Sequence, residues 1–137
     1  MANHQNKLKK LNRPKPHRDA MMANMATSLF THRKIETTDA RAKELRRMAD
    51  RLISTAKKET TAARRQVART IRDKEVLKKL FNDIVPQFKE RQSGFTRVLK
   101  VGFRRGDASA ISMVELLTKP DVEKEEKKDS KKKKKES

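Results

Sequence analysis

The side chains with most chemistry to offer in this sequence are arginines: Arg41, Arg46, Arg47, Arg51, Arg64, Arg65, Arg69, Arg72, Arg97, Arg104 and Arg105. A guanidinium is planar, stays charged at any physiological pH, and presents a fork of N–H donors that matches two phosphate oxygens and stacks on a base. Any one Arg on a helix is ordinarily a solvated surface group. The set reads differently because the acids that would balance it are missing: 37 Lys+Arg stand against 18 Asp+Glu in 137 residues, a net charge of +19. Residues 121–137 hold eight Lys and six acids, which leaves +17 on residues 1–120. Self-repulsion on that scale opposes compaction, so the chain calls for a polyanionic partner. Lys dominates the two ends and Arg the middle, and a rigid Arg-rich surface with Lys-rich ends suits docking onto folded nucleic acid.

Catalytic chemistry has little to work with. His4, His17 and His32 are the only imidazoles, no carboxylate pair flanks them at a metal-ligand spacing, and neither an HExxH helix nor a Gly-rich phosphate loop occurs. Ser28, His32 and Asp39 could be drawn as a triad only by imagination. With no Cys there are no disulfides, thiolate zinc sites or cysteine nucleophiles. An enzyme is not expected. No apolar run approaches the roughly 20 residues of a membrane span, and the N-terminal stretch lacks the apolar core of a signal peptide, so a cytoplasmic protein is the expectation.

The elements that must position the arginines are mainly helical, and hydrophobic residues make up 34%, enough for one modest core. Residues 1–16 carry Lys7, Lys9, Lys10, Arg13 and Lys15 without an acid, and Pro14 and Pro16 interrupt any helix, so a basic extended arm is expected. Met22, Met25, Ala26 and Leu29 then form a helical stripe within residues 17–31, where Met21, Met22 and Met25 read as core filler. Residues 34–38 are β-prone and too short for more than an accessory strand. Thr38 is placed as the N-cap of a helix over 39–58, whose apolar face is Leu45, Met48, Ala49, Leu52, Ile53 and Ala56. A second helix is expected over 61–72 and a third after Asp73, ended by Pro86.

The period then drops to two. In Phe95–Phe103 the odd positions are Phe, Arg, Leu, Val and Phe, which predicts a strand whose mainly apolar face, Phe95 and Phe103 included, lies on the core. Arg104 to Asp107 supply a turn, and Ile111–Leu117 reads as the antiparallel partner. With Phe81 also on an apolar helix face, the aromatics read mostly as core, which gives a base-stacking platform little support. The fold class is α+β: one domain over 17–119 with helices packed on a small sheet and a C-terminal antiparallel hairpin. A Lys/Glu-rich tail over 120–137 is expected to be disordered. Electrostatics alone leaves RNA and DNA open; no helix-turn-helix or zinc-finger spacing is present, and a nucleoid-type DNA-binding protein stays as the alternative.

Short blocks narrow the choice. His17-Arg18-Asp19-Ala20-Met21 followed by Asn24-Met25-Ala26 and Ser28-Leu29 resembles the first helix of the bacterial ribosomal protein family numbered seventeen in the large subunit. Ile35-Glu36-Thr37-Thr38 with Ala42-Lys43-Glu44-Leu45-Arg46 is similar to the same family, as are Gly94-Phe95-Thr96-Arg97-Val98-Leu99-Lys100, Gly102-Phe103-Arg104, Gly106-Asp107 and Val114-Glu115-Leu116. The resemblance covers roughly 17–117; Ser93 stands where glycine is common and Phe95 where tyrosine is usual. It implies a structural constituent bound to large-subunit ribosomal RNA near the peptide exit tunnel, beside other large-subunit proteins, with no cofactor, membrane or small-molecule partner. The candidate RNA contacts are Lys7, Lys9, Lys10, Arg13, His17, Arg18, Asn24, Arg33, Arg46, Arg64, Arg65, Arg97, Lys100, Arg104 and Arg105, with Arg97 equally open to an internal ion pair.

Overall fold

The computed structural model of the protein describes residues 9–118. Helix α1 (Lys15–His32) leads into strand β1 (Lys34–Thr38), then helices α2 (Asp39–Ala56), α3 (Thr61–Thr70) and α4 (Lys74–Lys79). The hairpin of β2 (Thr96–Phe103) and β3 (Ala110–Leu116) follows. The sheet order is β1-β3-β2, antiparallel throughout, so the last strand is the central one. Helices on one face of a small sheet, with the hairpin at the C-terminal end, is the α+β architecture expected.

The two prolines of the arm act differently from expectation. Pro14 is the N-cap of α1 and Pro16 lies within its first turn, where a missing N–H is no loss. The helix therefore begins at Lys15, and Arg13 N–H bonds the Lys10 carbonyl at 3.1 Å in a turn just before it. Leu11 packs against the core. The remainder of the arm, Lys7 included, and the tail over 120–137 lie outside the described residues. At the other end of α1, Arg33 takes a left-handed conformation (φ 65°), and its N–H bonds the Leu29 carbonyl at 2.7 Å. That reversal drops the chain directly into β1.

The core is the stripe pattern read from the helices: Met22, Ala26, Leu29, Leu45, Ala49, Ile53, Val67 and Leu80 are buried, with Met21 and Met25 partly buried against them. Phe88 and Phe95 meet edge to face, ring centroids 5.1 Å apart. Lys57 closes this corner, its ammonium 5.4 Å from the Phe95 ring centre. Regular helix ends earlier than Pro86, at Lys79, and the chain keeps coiling through the proline. A wide π-turn over Leu80–Ile84 gives way to a tight 3-10 turn over Val85–Phe88, and this change of pitch puts Leu80, Ile84, Val85 and Phe88 all inside.

Two junctions tie α2 to the sheet, and one departs from the sequence reading. Thr38 occupies the N-cap of α2, yet its hydroxyl makes no cap hydrogen bond. Asp39 ties this end down, accepting from Ser112 of β3 at 3.0 Å and pairing with Lys43 at 2.7 Å. Lower on α2, Asp50 accepts from the Phe95 N–H at 3.2 Å and the Thr96 hydroxyl at 2.8 Å, pinning the start of β2 to the helix. An Asp50→Ala chain is expected to lose about 1–3 kcal/mol in a denaturant titration, because a partly buried N–H and hydroxyl are left without an acceptor.

The faces of β2 are the reverse of those expected. Thr96 is buried and Val98 half-buried, while Arg97, Leu99, Val101 and Phe103 are exposed. Phe95 is buried because it precedes the strand, at the point where Asp50 draws the chain in. A bulge then breaks the alternation: Lys100 pairs with Ser112 and Gly102 with Ile111, leaving Val101 unpaired.

Candidate nucleic-acid interface

The N-terminal half of α1, one face of α2 and the turn from α3 into α4 enclose an open groove of about 1000 Å³. Seven cations line it: Lys9 ahead of α1, Lys15 and Arg18 near its start, Arg47 and Arg51 one turn apart on α2, Arg69 in the last turn of α3 and Arg72 just after it. The lining acids are Asp19, Glu44 and Asp73. Each acid already has work. Asp19 pairs with Lys15 at 3.3 Å, Glu44 with Arg47 at 3.3 Å, and Asp73 accepts the N–H groups of Glu75 and Val76 as the cap of α4.

Arg18, Arg51, Arg69 and Arg72 are thus left without a carboxylate ion pair among the described residues. The positive end of α1 also opens here, with no acid in its first turn and no side chain over its N–H groups. Several unneutralised guanidiniums at one concavity repel one another, and an anionic chain that brings several phosphates relieves them at once. Met22, Asn24, Thr27 and Met48 also line the groove.

Of the residues proposed from sequence, Lys9, Arg18 and Asn24 meet in this groove. Lys10, Arg13 and His17 lie beside it on the same segment, Arg13 Nη1 standing 3.1 Å from His17 Nε2. The others are scattered. Arg46 reaches toward Asp50 at 4.0 Å, Arg64 lies over the Phe81 ring at 5.3 Å, and Arg65 is exposed on α3. Arg33 is buried and donates to the Thr118 hydroxyl at 2.7 Å, so its guanidinium is used inside the fold. Arg97 takes the internal pairing, bridging to Glu115 across the hairpin.

Sequence reasoning passed over Lys15, Arg47, Arg51, Arg69 and Arg72 as site residues. The i, i+4 spacing of Arg47 and Arg51 was a usable signal, since it puts both on one stripe of α2. The convergence of Arg69 and Arg72 with that stripe depends on how α3 turns into α4, which no local pattern records.

The hairpin loop is a second basic point. Arg104 grips Asp107 with Nε at 3.1 Å and Nη2 at 2.5 Å, and Ser109 donates its hydroxyl (2.7 Å) and its N–H (3.3 Å) to the same carboxylate. These donors, the guanidinium first, hold the Asp107 carboxyl far below the usual carboxylate range. The pairing correspondingly raises the Arg104 guanidinium. A depressed carboxyl stabilises the loop at every pH above its ordinary value and loses that contribution only as pH falls through the depressed one. The Ser109 amide resonance should therefore stay put while ordinary carboxylates titrate and move only in stronger acid; an Asp107→Asn loop should lack that late transition. The Lys43 and Ser112 contacts hold Asp39 below its ordinary value, and the charge of Lys100 on β2 adds to them.

The described residues form a small α+β domain with a cationic trough and a basic hairpin tip, the kind of surface suited to an anionic chain. No group of three or more His, Asp or Glu among the described residues could hold a metal. Comparison with known proteins gives the particular kind. Residues 21–117 match the family model described as Ribosomal protein L17. Relatives named large ribosomal subunit protein bL17 come from Pelobacter propionicus (46% identical over 109 residues, 80% of this chain and 86% of the relative) and Desulforapulum autotrophicum (48% over 108 residues, 79% and 90%). One from Geobacter sulfurreducens is 47% identical over 80% of this chain and 62% of its own length. The chain belongs to the ribosomal protein L17 family, which is structural and not enzymatic.

Proposed function

We propose that the protein is a structural constituent of the large ribosomal subunit that binds and stabilises folded large-subunit ribosomal RNA. The groove between α1, α2 and the α3–α4 turn would be its main phosphate-binding surface, and the hairpin loop a second foothold. The observation that carries the reading is the convergence of Arg18, Arg51, Arg69 and Arg72 without carboxylate partners among the described residues in one concavity. Counterion release from the RNA drives the association, and the fixed helices give it a single orientation. Family membership supports a ribosome-bound life in the cytoplasm beside other large-subunit proteins, and the family resemblance supports a place near the mouth of the peptide exit tunnel. A nucleoid role would need comparable binding to duplex DNA.

The chain has no Cys, so one can be introduced as the sole attachment point for an iron chelate that generates hydroxyl radicals. From Asn24→Cys, in the groove, cleavage should fall on a few short stretches of large-subunit RNA in the assembled particle. From Ser93→Cys, exposed and outside the groove, the same stretches should stay intact. Equal patterns from both sites, or no cleavage from Asn24→Cys, would contradict the groove as the docking face.

A further inference from the structure

Phe103 is 78% exposed, against 53% for Val101 and 36% for Leu99. Phe103 and Val101 line one cleft, so they form an exposed apolar patch on a polar surface, a feature that marks interaction sites. The bulge at Val101 explains the aim of the Phe103 ring. Past it, Phe103 stands opposite Ala110, on the face of β3 that also carries Ser112, whose hydroxyl is bonded to Asp39 at the start of α2. The ring therefore projects just beyond the N-terminal end of α2, where the sheet has run past its helical cover.

A cleft of about 530 Å³ opens there, with Phe103 and Val101 as apolar wall, Arg41 and Arg104 as cations, and Glu36 and Thr37 along the β1 edge. Charge decides between occupants. Asp107 is consumed by Arg104 and Ser109, whereas Arg41 has no carboxylate ion pair among the described residues. Arg104 spends Nε and Nη2 on Asp107, and its Nη1 points to no acceptor among the described residues. An apolar protein segment would cover the ring and leave these cations unanswered. A nucleotide answers both, with its base on the ring and its phosphate between the guanidiniums. Glu36, which carries no ion pair among the described residues, adds an acceptor suited to an exocyclic amino group and keeps phosphate off that edge.

We infer that Phe103 is a stacking platform for one unpaired nucleotide of the bound RNA, its phosphate held by Arg41 and Arg104. The inference rests on the RNA-binding reading above and adds a site at the N-terminal end of α2, apart from the groove. The sequence contains no Trp and no Tyr, so full-length Phe103→Trp carries one indole, placed at the proposed site. Titrated with protein-free large-subunit ribosomal RNA, its emission should be quenched in step with binding followed by filter retention. Phe103→Ala should bind about ten-fold or more weakly with an unchanged salt dependence, since stacking neutralises no phosphate. Unchanged indole emission at saturation, or wild-type affinity of Phe103→Ala, would overturn the platform while leaving the groove intact. A blue-shifted, unquenched indole seen only in assembled particles would overturn it in favour of a protein neighbour. Failure of the wild-type chain to bind RNA at all would instead sink the RNA-binding reading itself.

Discussion

Replacing Arg51, Arg69 and Arg72 together by Gln is expected to weaken binding to large-subunit ribosomal RNA by about a hundred-fold at physiological salt. The slope of log K against log salt should fall by about two to three, near one for each phosphate that is no longer neutralised. The three side chains are exposed, so the core is untouched, and removing mutual repulsion should leave the free chain at least as stable. Net charge alone predicts the same loss wherever three cations are removed. Lys58, Lys78 and Lys89 lie outside the groove, and their triple Gln replacement should cost at most a few-fold. Equal losses from the two triples would mean that the chain binds as a diffuse cation with no docking face.

The second large effect concerns stability. Phe95 is 1% exposed, packed on Phe88 and capped by Lys57. Phe95→Ala should cost about 3–5 kcal/mol, close to the whole stability of a small domain burdened with like charge. Thermal unfolding of the free chain should shift down by on the order of 15 °C or abolish a cooperative transition. Phe103→Ala should change stability by under about 0.5 kcal/mol. Bound RNA should restore much of the Phe95→Ala loss, because a ligand of the native state alone stabilises it by mass action. Similar destabilisation by both variants would mean that the exposed end of β2 is packed in solution.

Those two phenylalanines also mark how far the sequence could be read. Helical stripes such as Leu45, Ala49, Leu52 and Ile53 specify their own buried face, so α1 to α3 and the core were legible, as was the Asp73 cap. Period two, by contrast, says which residues share a face and not which face is covered. Phe95 and Phe103 looked equivalent, and only Asp50 at one end and the Val101 bulge at the other separate them. Prolines were read as breaks, although Pro14 and Pro16 sit where a helix tolerates them. For the site, the type of chemistry was evident in the unbalanced arginines. Its location was not, because the groove joins residues from three helices, and a residue such as Arg33 declares its internal role only when its partner Thr118 is seen beside it.

The central claim, a stoichiometric structural part of the large subunit, is tested most directly by sedimenting native extract through sucrose at low and then raised salt while following this protein. Comigration with the large subunit at one copy per particle, surviving the salt step, is the predicted result. A peak in the soluble or DNA-bound fraction, or release from the subunit at moderate salt, would contradict it.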